Sequence, residues 1–128
     1  MNPRPRPARR LALALALSMA TALVGCGDKA PPEPMPAAEV PKALNDAFGK
    51  ASAEDQALAK AAQQAVQKDE QTVALELLEA LSRKAELTPE QREIAARSAL
   101  SVRSKLLDAA NKGDKAAQDY LEEQRARK

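Results

Sequence analysis

The chain has 128 residues, enough for one small domain, and a net charge of +2 at pH 7 that mixes two populations. Arg4, Arg6, Arg9 and Arg10 all lie near the start; from Cys26 onward 16 Lys/Arg face 18 Asp/Glu, a net charge of −2. The basic balance therefore belongs to the first ten residues, so no nucleic-acid partner is implied. With no His and one Cys, an internal disulfide and a Cys/His metal site are both excluded, and no cofactor is indicated.

Residues 1–10 are positive and carry no acid, and residues 11–25 (LALALALSMATALVG) are apolar and uncharged. This is the layout of a secretory signal peptide over 1–25, a basic region followed by an apolar one. Fifteen apolar residues fall short of the roughly 20 that span a bilayer. Arg9-Arg10 is a twin arginine without the rest of a twin-arginine export motif.

Leu23-Val24-Gly25-Cys26 closes the apolar run. It resembles a bacterial lipobox: an aliphatic residue, a small or aliphatic one, Gly or Ala, then Cys. The resemblance covers residues 1–26. It implies that Leu23, Val24 and Gly25 are read by a signal peptidase, with small Gly25 giving access to the backbone. It implies further that the soft thiol of Cys26 takes a diacylglyceryl thioether, that the chain is cut before Cys26, and that the new amine is acylated. One acyl chain anchors only reversibly, at about 0.8 kcal/mol per buried CH₂, whereas three would hold the protein at the membrane. Gly27 follows the cysteine and Asp28 comes one place later. By the enteric sorting rule, in which Asp directly after the cysteine favours the inner membrane, this points to the outer membrane, with the domain facing the periplasm.

Residues 26–41 form the lipidated cysteine and a tether. The stretch 27–41 (GDKAPPEPMPAAEVP) holds five prolines and is not a helix interior. In a polyproline-like conformation its fifteen residues reach about 45 Å. Pro31-x-x-Pro34 also fits a ligand for a proline-recognition module, a pattern that most Pro-rich spacers contain.

From 42 to 128 the chain reads as an all-α domain. Ala and Leu, both strong helix formers, supply most of the apolar content, while Phe48 and Tyr120 are the only aromatics. Helix signals begin at Pro41, with Leu44, Ala47, Phe48 and Ala51 on one face, Phe48 docking that helix, and Gly49 ending it. Ser52 with Asp55 has capping-box spacing and opens a second helix whose face is Leu58, Ala61, Ala62, Ala65 and Val66. Asp69 is the expected N-cap of a third, with a stripe of Val73, Ala74, Leu77, Leu78, Leu81 and Ala85. Thr88-Pro89-x-Gln91 is a capping box with Pro at the first helical position. The fourth helix then runs to about Asn111 with Ala95, Ala99, Val102, Leu106 and Ala110 in one stripe and Ala96, Leu100 and Leu107 beside it. Gly113 suits a C′ position and Asp114 an N-cap for a last helix carrying Ala116, Ala117, Tyr120 and Leu121. Glu79–Arg83, Glu93–Arg97 and Asp108–Lys112 are spaced as i, i+4 ion pairs.

The expected architecture is four to five short helices in two antiparallel hairpins, a small bundle or a tetratricopeptide-like stack. The third helix, reading Ala74-x-x-Leu77-Leu78-x-x-Leu81, resembles the second helix of a tetratricopeptide hairpin. The 34-residue period and the family's Trp, Gly-Tyr and terminal Pro positions are absent. A shift of 44 residues superposes Ala65/Ala109, Lys68/Lys112, Leu77/Leu121, Glu79/Glu123, Arg83/Arg127 and Lys84/Lys128.

Candidate chemistry is sparse. Ser98, Ser101 and Lys105, with Ser104 adjacent, have the spacing of a Ser–Lys dyad but are expected on the solvent face, without a Gly-rich turn to form an oxyanion hole. The carboxylate pairs Glu54-Asp55, Asp69-Glu70 and Glu122-Glu123 fall at helix ends or exposed faces. Arg125, Arg127 and Lys128 make a basic C-terminal end. The reading is a small lipid-anchored envelope protein, attached to the membrane through Cys26, whose helical domain is a non-enzymatic protein-interaction or structural module with an envelope protein as partner. An assembly helper for an envelope machine is the alternative within that class. An envelope enzyme acting on peptidoglycan or lipid is the alternative outside it. An oligomeric coiled-coil spacer is disfavoured because Ser52, Asp69, Thr88 and Gly113 break the heptads.

Overall fold

The computed structural model describes residues 30–128, so the expected signal segment, Cys26 and the start of the expected tether lie outside the described residues. Five helices follow in order: α1 (Val40–Phe48), α2 (Ala53–Gln67), α3 (Gln71–Arg83), α4 (Pro89–Asn111) and α5 (Lys115–Ala126). There is no strand among the described residues, as an Ala/Leu-rich composition requires.

Side-chain caps set most of the boundaries. The Ser52 hydroxyl accepts from the Asp55 amide at 3.2 Å and opens α2. At the start of α4, Thr88 Oγ1 accepts from the Gln91 amide at 3.1 Å while the Gln91 side chain accepts from the Thr88 amide at 3.0 Å, a complete capping box. Asp114 accepts from the Ala117 amide at 3.0 Å and opens α5.

Asp69 behaves differently from expectation. It sits at φ 60°, in the left-handed region, just past the end of α2, and Glu70 takes the N-cap position of α3 without a side-chain cap bond. The Glu70 amide bonds the Ala65 carbonyl at 2.9 Å and the Asp69 amide bonds the Val66 carbonyl at 3.2 Å, which is the Schellman pattern. Asp tolerates this backbone because its short side chain bonds locally, here with Gln71 at 3.1 Å. The α4–α5 turn is built the same way: Gly113 has φ 95°, Asp114 bonds the Ala109 carbonyl at 3.0 Å, and Gly113 bonds the Ala110 carbonyl at 3.1 Å. Each of these residues lies 44 positions after its counterpart, so the sequence offset has a structural image at the turns.

The first four helices close on themselves. α1 packs on α2 and α4, α2 on α3, and α3 on α4; α5 lies against α4. This closure is that of a small bundle. Neighbours run antiparallel, as the joined ends show: Lys84, after α3, pairs with Glu54 at the start of α2, and Gln91 at the start of α4 bonds Ala47 near the end of α1.

The core is made of Leu44, Phe48, Leu75, Leu78, Leu81, Val102 and Leu106, with alanines between them. Ala62, Ala74 and Ala95 have no exposed surface, so helix backbones approach closely there. Phe48 is buried, as expected of the residue that docks α1.

The faces of α2 and α3 are turned relative to expectation. On α2 the buried positions are Asp55, Ala59, Ala62 and Ala65, with Leu58, Ala61 and Val66 half-buried. On α3 they are Ala74, Leu75, Leu78 and Leu81; Val73 is 47% exposed, Leu77 is half-buried, and Ala85 lies beyond the helix in solvent. On α4, Leu107 is 40% exposed, whereas Ser98 and Ser101, assigned to solvent from sequence, are buried. Small side chains let α4 present these positions to neighbours on several sides, and a hydroxyl occupies little more room than the methyl of Ala.

The helical unit begins before residue 42. Val40 and Met35 are buried with the core, at 1% and 5% exposure. The Met35 amide donates to the Arg97 carbonyl at 3.3 Å, and Arg97 Nε donates to the Glu33 carbonyl at 3.1 Å. Residues 33–39 are thus a strap on α4. The prolines flanking Met35 do not prevent this, because the strap needs only one donor and Met35 retains its amide. Arg97 is consequently not paired with Glu93, and no ion pair joins Asp108 to Lys112.

Leu78→Ala is expected to cost about 2–5 kcal/mol in chemical denaturation, because Leu78 is fully buried and its truncation leaves a cavity in the core. Val73→Ala, at an exposed position on the same helix, should stay within about 0.5 kcal/mol.

Candidate functional site

Leu23, Val24, Gly25 and Cys26, the residues carrying the lipobox resemblance, lie outside the described residues. What the described domain offers is a set of polar clusters and open clefts, each built at a junction between helices.

The most developed cluster joins the start of α2 to the end of α3. Asp55 is 6% exposed, an unusual position for a carboxylate unless it is paired. Its Oδ2 accepts from the Ser52 hydroxyl at 2.8 Å. Lys84 Nζ lies 2.6 Å from Oδ1, as an ion pair rather than along a well-aligned hydrogen bond, and 2.8 Å from Glu54 Oε1. The Lys84 ammonium, and after it the Ser52 hydroxyl, hold the Asp55 carboxyl below the usual carboxylate range. Asp55 and then Glu54 push Lys84 above the usual lysine range in turn. Both shifts favour the charged forms, so the group is a fixed ion pair locking two helix ends together. It has no poised acid or base. The sequence identified Ser52 and Asp55 as a cap but gave no sign of Lys84, which arrives from 29 positions further along the chain.

Glutamines fasten the end of α1. Gln91 Nε2 donates to the Ala47 carbonyl at 3.0 Å, while Gln56 Nε2 donates to the Ala51 carbonyl at 2.8 Å. Gln91 therefore works twice, capping α4 through its oxygen and holding α1 through its nitrogen. On the far side of α3, Glu79 binds both Arg83, at 2.9 Å, and Arg103 of α4. The expected Glu79–Arg83 pair is thus present within a three-residue network.

The Ser–Lys spacing on α4 does not produce a dyad. Ser98 and Ser101 are buried and Lys105 is exposed, whereas a Ser–Lys nucleophile needs its lysine desolvated. Ser98 Oγ is buried without a hydrogen-bond partner among the described residues. The pairs Glu54-Asp55, Asp69-Glu70 and Glu122-Glu123 are separated by their surroundings: Asp55 is buried and ion-paired, and the other five are exposed. At the C-terminal end, Arg127 pairs with Glu123 one turn back, and Arg125 and Lys128 are exposed. Tyr120 is half-buried and accepts from Gln124 at 3.1 Å; burial, with Glu76 and Glu79 nearby, raises its hydroxyl above the usual tyrosine range.

Open clefts lie on the surface of the described residues. A groove of about 450 Å³ runs between α1 and α2, floored by Leu44, Phe48 and Ala59 and rimmed by Asn45, Gln56, Lys60 and Gln63. A cleft beside the Asp55–Lys84 pair and another between α3 and the end of α5 are lined mainly by charged and amide side chains. Among the described residues, no group of three or more acidic or thiol side chains is placed to hold a metal ion, and no helix is long and apolar enough to cross a membrane. Comparison with family models, with curated proteins and with solved structures finds no match to the chain.

Two outcomes follow from the polar clusters. Because the folded pKa of Asp55 lies below its unfolded value, its stabilisation is present above about pH 4 and is lost as pH falls through the lower, folded value. Asp55→Asn should therefore be less stable than wild type at pH 7, with a flatter loss of stability as pH falls below about 4, in urea titrations across that range. Ser98→Ala removes a buried hydroxyl with nothing to bond, and its unfolding free energy should be unchanged or higher by up to about 1 kcal/mol.

Proposed function

We infer that this chain is a lipid-anchored protein of a bacterial envelope, whose helical domain serves as a non-enzymatic interaction or structural module. The observation that carries the reading is Leu23-Val24-Gly25-Cys26 at the end of a basic-then-apolar leader, with a Pro-rich segment directly after it. In this reading residues 1–25 are removed, Cys26 becomes the first residue and carries lipid, and Gly27 in place of an acidic residue sends the protein to the periplasmic face of the outer membrane. The partner of the domain is another envelope protein.

Support for an interaction module over an envelope enzyme comes from the side chains themselves. The shifts of Asp55 and Lys84 both favour the charged forms of a locked pair, and the nucleophile–base spacing on α4 is split between core and solvent.

Globomycin, which blocks the lipoprotein signal peptidase, is expected to leave a precursor still carrying residues 1–25 and a lipid, seen as a mass shift in intact-protein mass spectrometry. Cys26→Ser should abolish metabolic labelling with a fatty acid and move the chain out of the lipid-modified fraction. Processing that ignores both treatments contradicts the reading.

A further inference from the structure

A tether over 27–41 has a reach of about 45 Å, enough to place a domain well away from the lipid. The strap and the first residues of α1 together remove more than half of that length. Glu33 and Met35 are held on α4 through the Arg97 backbone and side chain, and Met35 is buried in the core. Only six residues, 27–32, separate Cys26 from the strap. Whatever their conformation, covalent geometry limits the distance from the Cys26 Cα to the Glu33 Cα to about 25 Å.

We propose that the strap 33–39, by shortening the tether, holds one flank of the bundle, the outer face of α4 around Arg97 and Glu93, against the lipid surface. This rests on the lipid-anchor reading. The point of attachment fixes the orientation as well as the distance. The strap leaves the bundle beside Arg97, about a third of the way along α4. Glu93 lies one turn before Arg97 on the same face and is exposed. In the closed ring α1–α2–α3–α4, helix α2 packs on α1 and α3 and stands across from α4. Its Gln64 is exposed, on the face of α2 opposite the buried Ala59 and Ala62. The lipid surface therefore meets the strap–α4 flank, and the α2–α3 side, with the Asp55–Lys84 pair at its end, faces outward to be met by a protein partner.

The test uses full-length lipid-modified protein, purified from membranes and reconstituted in vesicles of phosphatidylethanolamine and phosphatidylglycerol that carry a headgroup acceptor dye. In lipidated protein the Cys26 sulfur is blocked, so a single introduced cysteine takes the donor dye. Energy transfer from Glu93→Cys should exceed that from Gln64→Cys by roughly two-fold or more, since the two sites differ by more than one helix-to-helix spacing. Twelve Gly/Ser residues inserted after Asp28, or Met35→Asp, which frees the strap, should abolish the difference while circular dichroism shows the helices retained. Equal transfer from both sites in a protein whose mass confirms lipid on Cys26 overturns this proposal alone. Absence of lipid from Cys26 overturns the anchor reading and this proposal with it.

Discussion

Close approach of helix backbones is the constraint on which this structure depends. A chain with one Phe, one Tyr and no Trp has few large side chains to bury, so its core is built from leucines set among alanines. An alanine contributes little area, but it lets a neighbouring helix come near enough for the leucines to be covered on every side. Helix α4 shows the arrangement most fully. It touches α1, α3 and α5, and its buried residues apart from Val102 and Leu106 are Ala or Ser. Polar fastenings add to this, at helix ends through Asp55 with Lys84 and Gln91 with Ala47, and between the bodies of α3 and α4 through Glu79 with Arg103.

The same constraint explains the strap. The α1–α4 seam is among the smaller contacts of the bundle, and α1 is only nine residues long. A short helix with three buried side chains gains from a further apolar residue placed at its start, and Met35 supplies it. Methionine's flexible side chain suits an irregular gap of this kind. The prolines around it reduce the entropy lost when the segment is fixed on α4. A Pro-rich sequence is therefore compatible with docking as well as with extension, and here part of it is docked.

Where the sequence was legible, the governing interaction was local. The caps at Ser52, Thr88 and Asp114 and the glycine at 113 each involve atoms within a few residues, and all four boundaries fall as expected. The helical class followed from composition. What escaped was set by partners distant in sequence. The α2 face is nearly all Ala, so a small rotation that buries Ala59 and leaves Leu58 at the edge has no signature in the periodicity. The same applies to Leu75 beside Val73 on α3. Ser98 and Ser101 read as solvent-facing because their stripe lies beside Arg97 and away from the Ala95-Ala99-Val102-Leu106 side, yet a helix packed on three sides has little solvent face left at mid-length. Asp69 was mistaken for an N-cap because Asp serves both as a cap and as a left-handed turn residue, and only the Schellman bonds distinguish the two. Lys84 and Met35 were missed because their partners lie 29 and 62 positions away. The resemblance of Leu23-Val24-Gly25-Cys26 to a lipobox is the reverse case: it lies outside the described residues, and the proposal built on it rests on sequence alone.

The central structural claim is that the folded unit starts at the strap and includes part of what reads as a tether. Residue-resolved amide hydrogen exchange on the protein addresses it directly through the amide of Met35, which donates to Arg97. Protection of that amide comparable to the amides of α1, lost in step with them in mild denaturant, is the predicted result. Exchange at the rate of an unstructured peptide, while α1 and α4 remain protected, would contradict it.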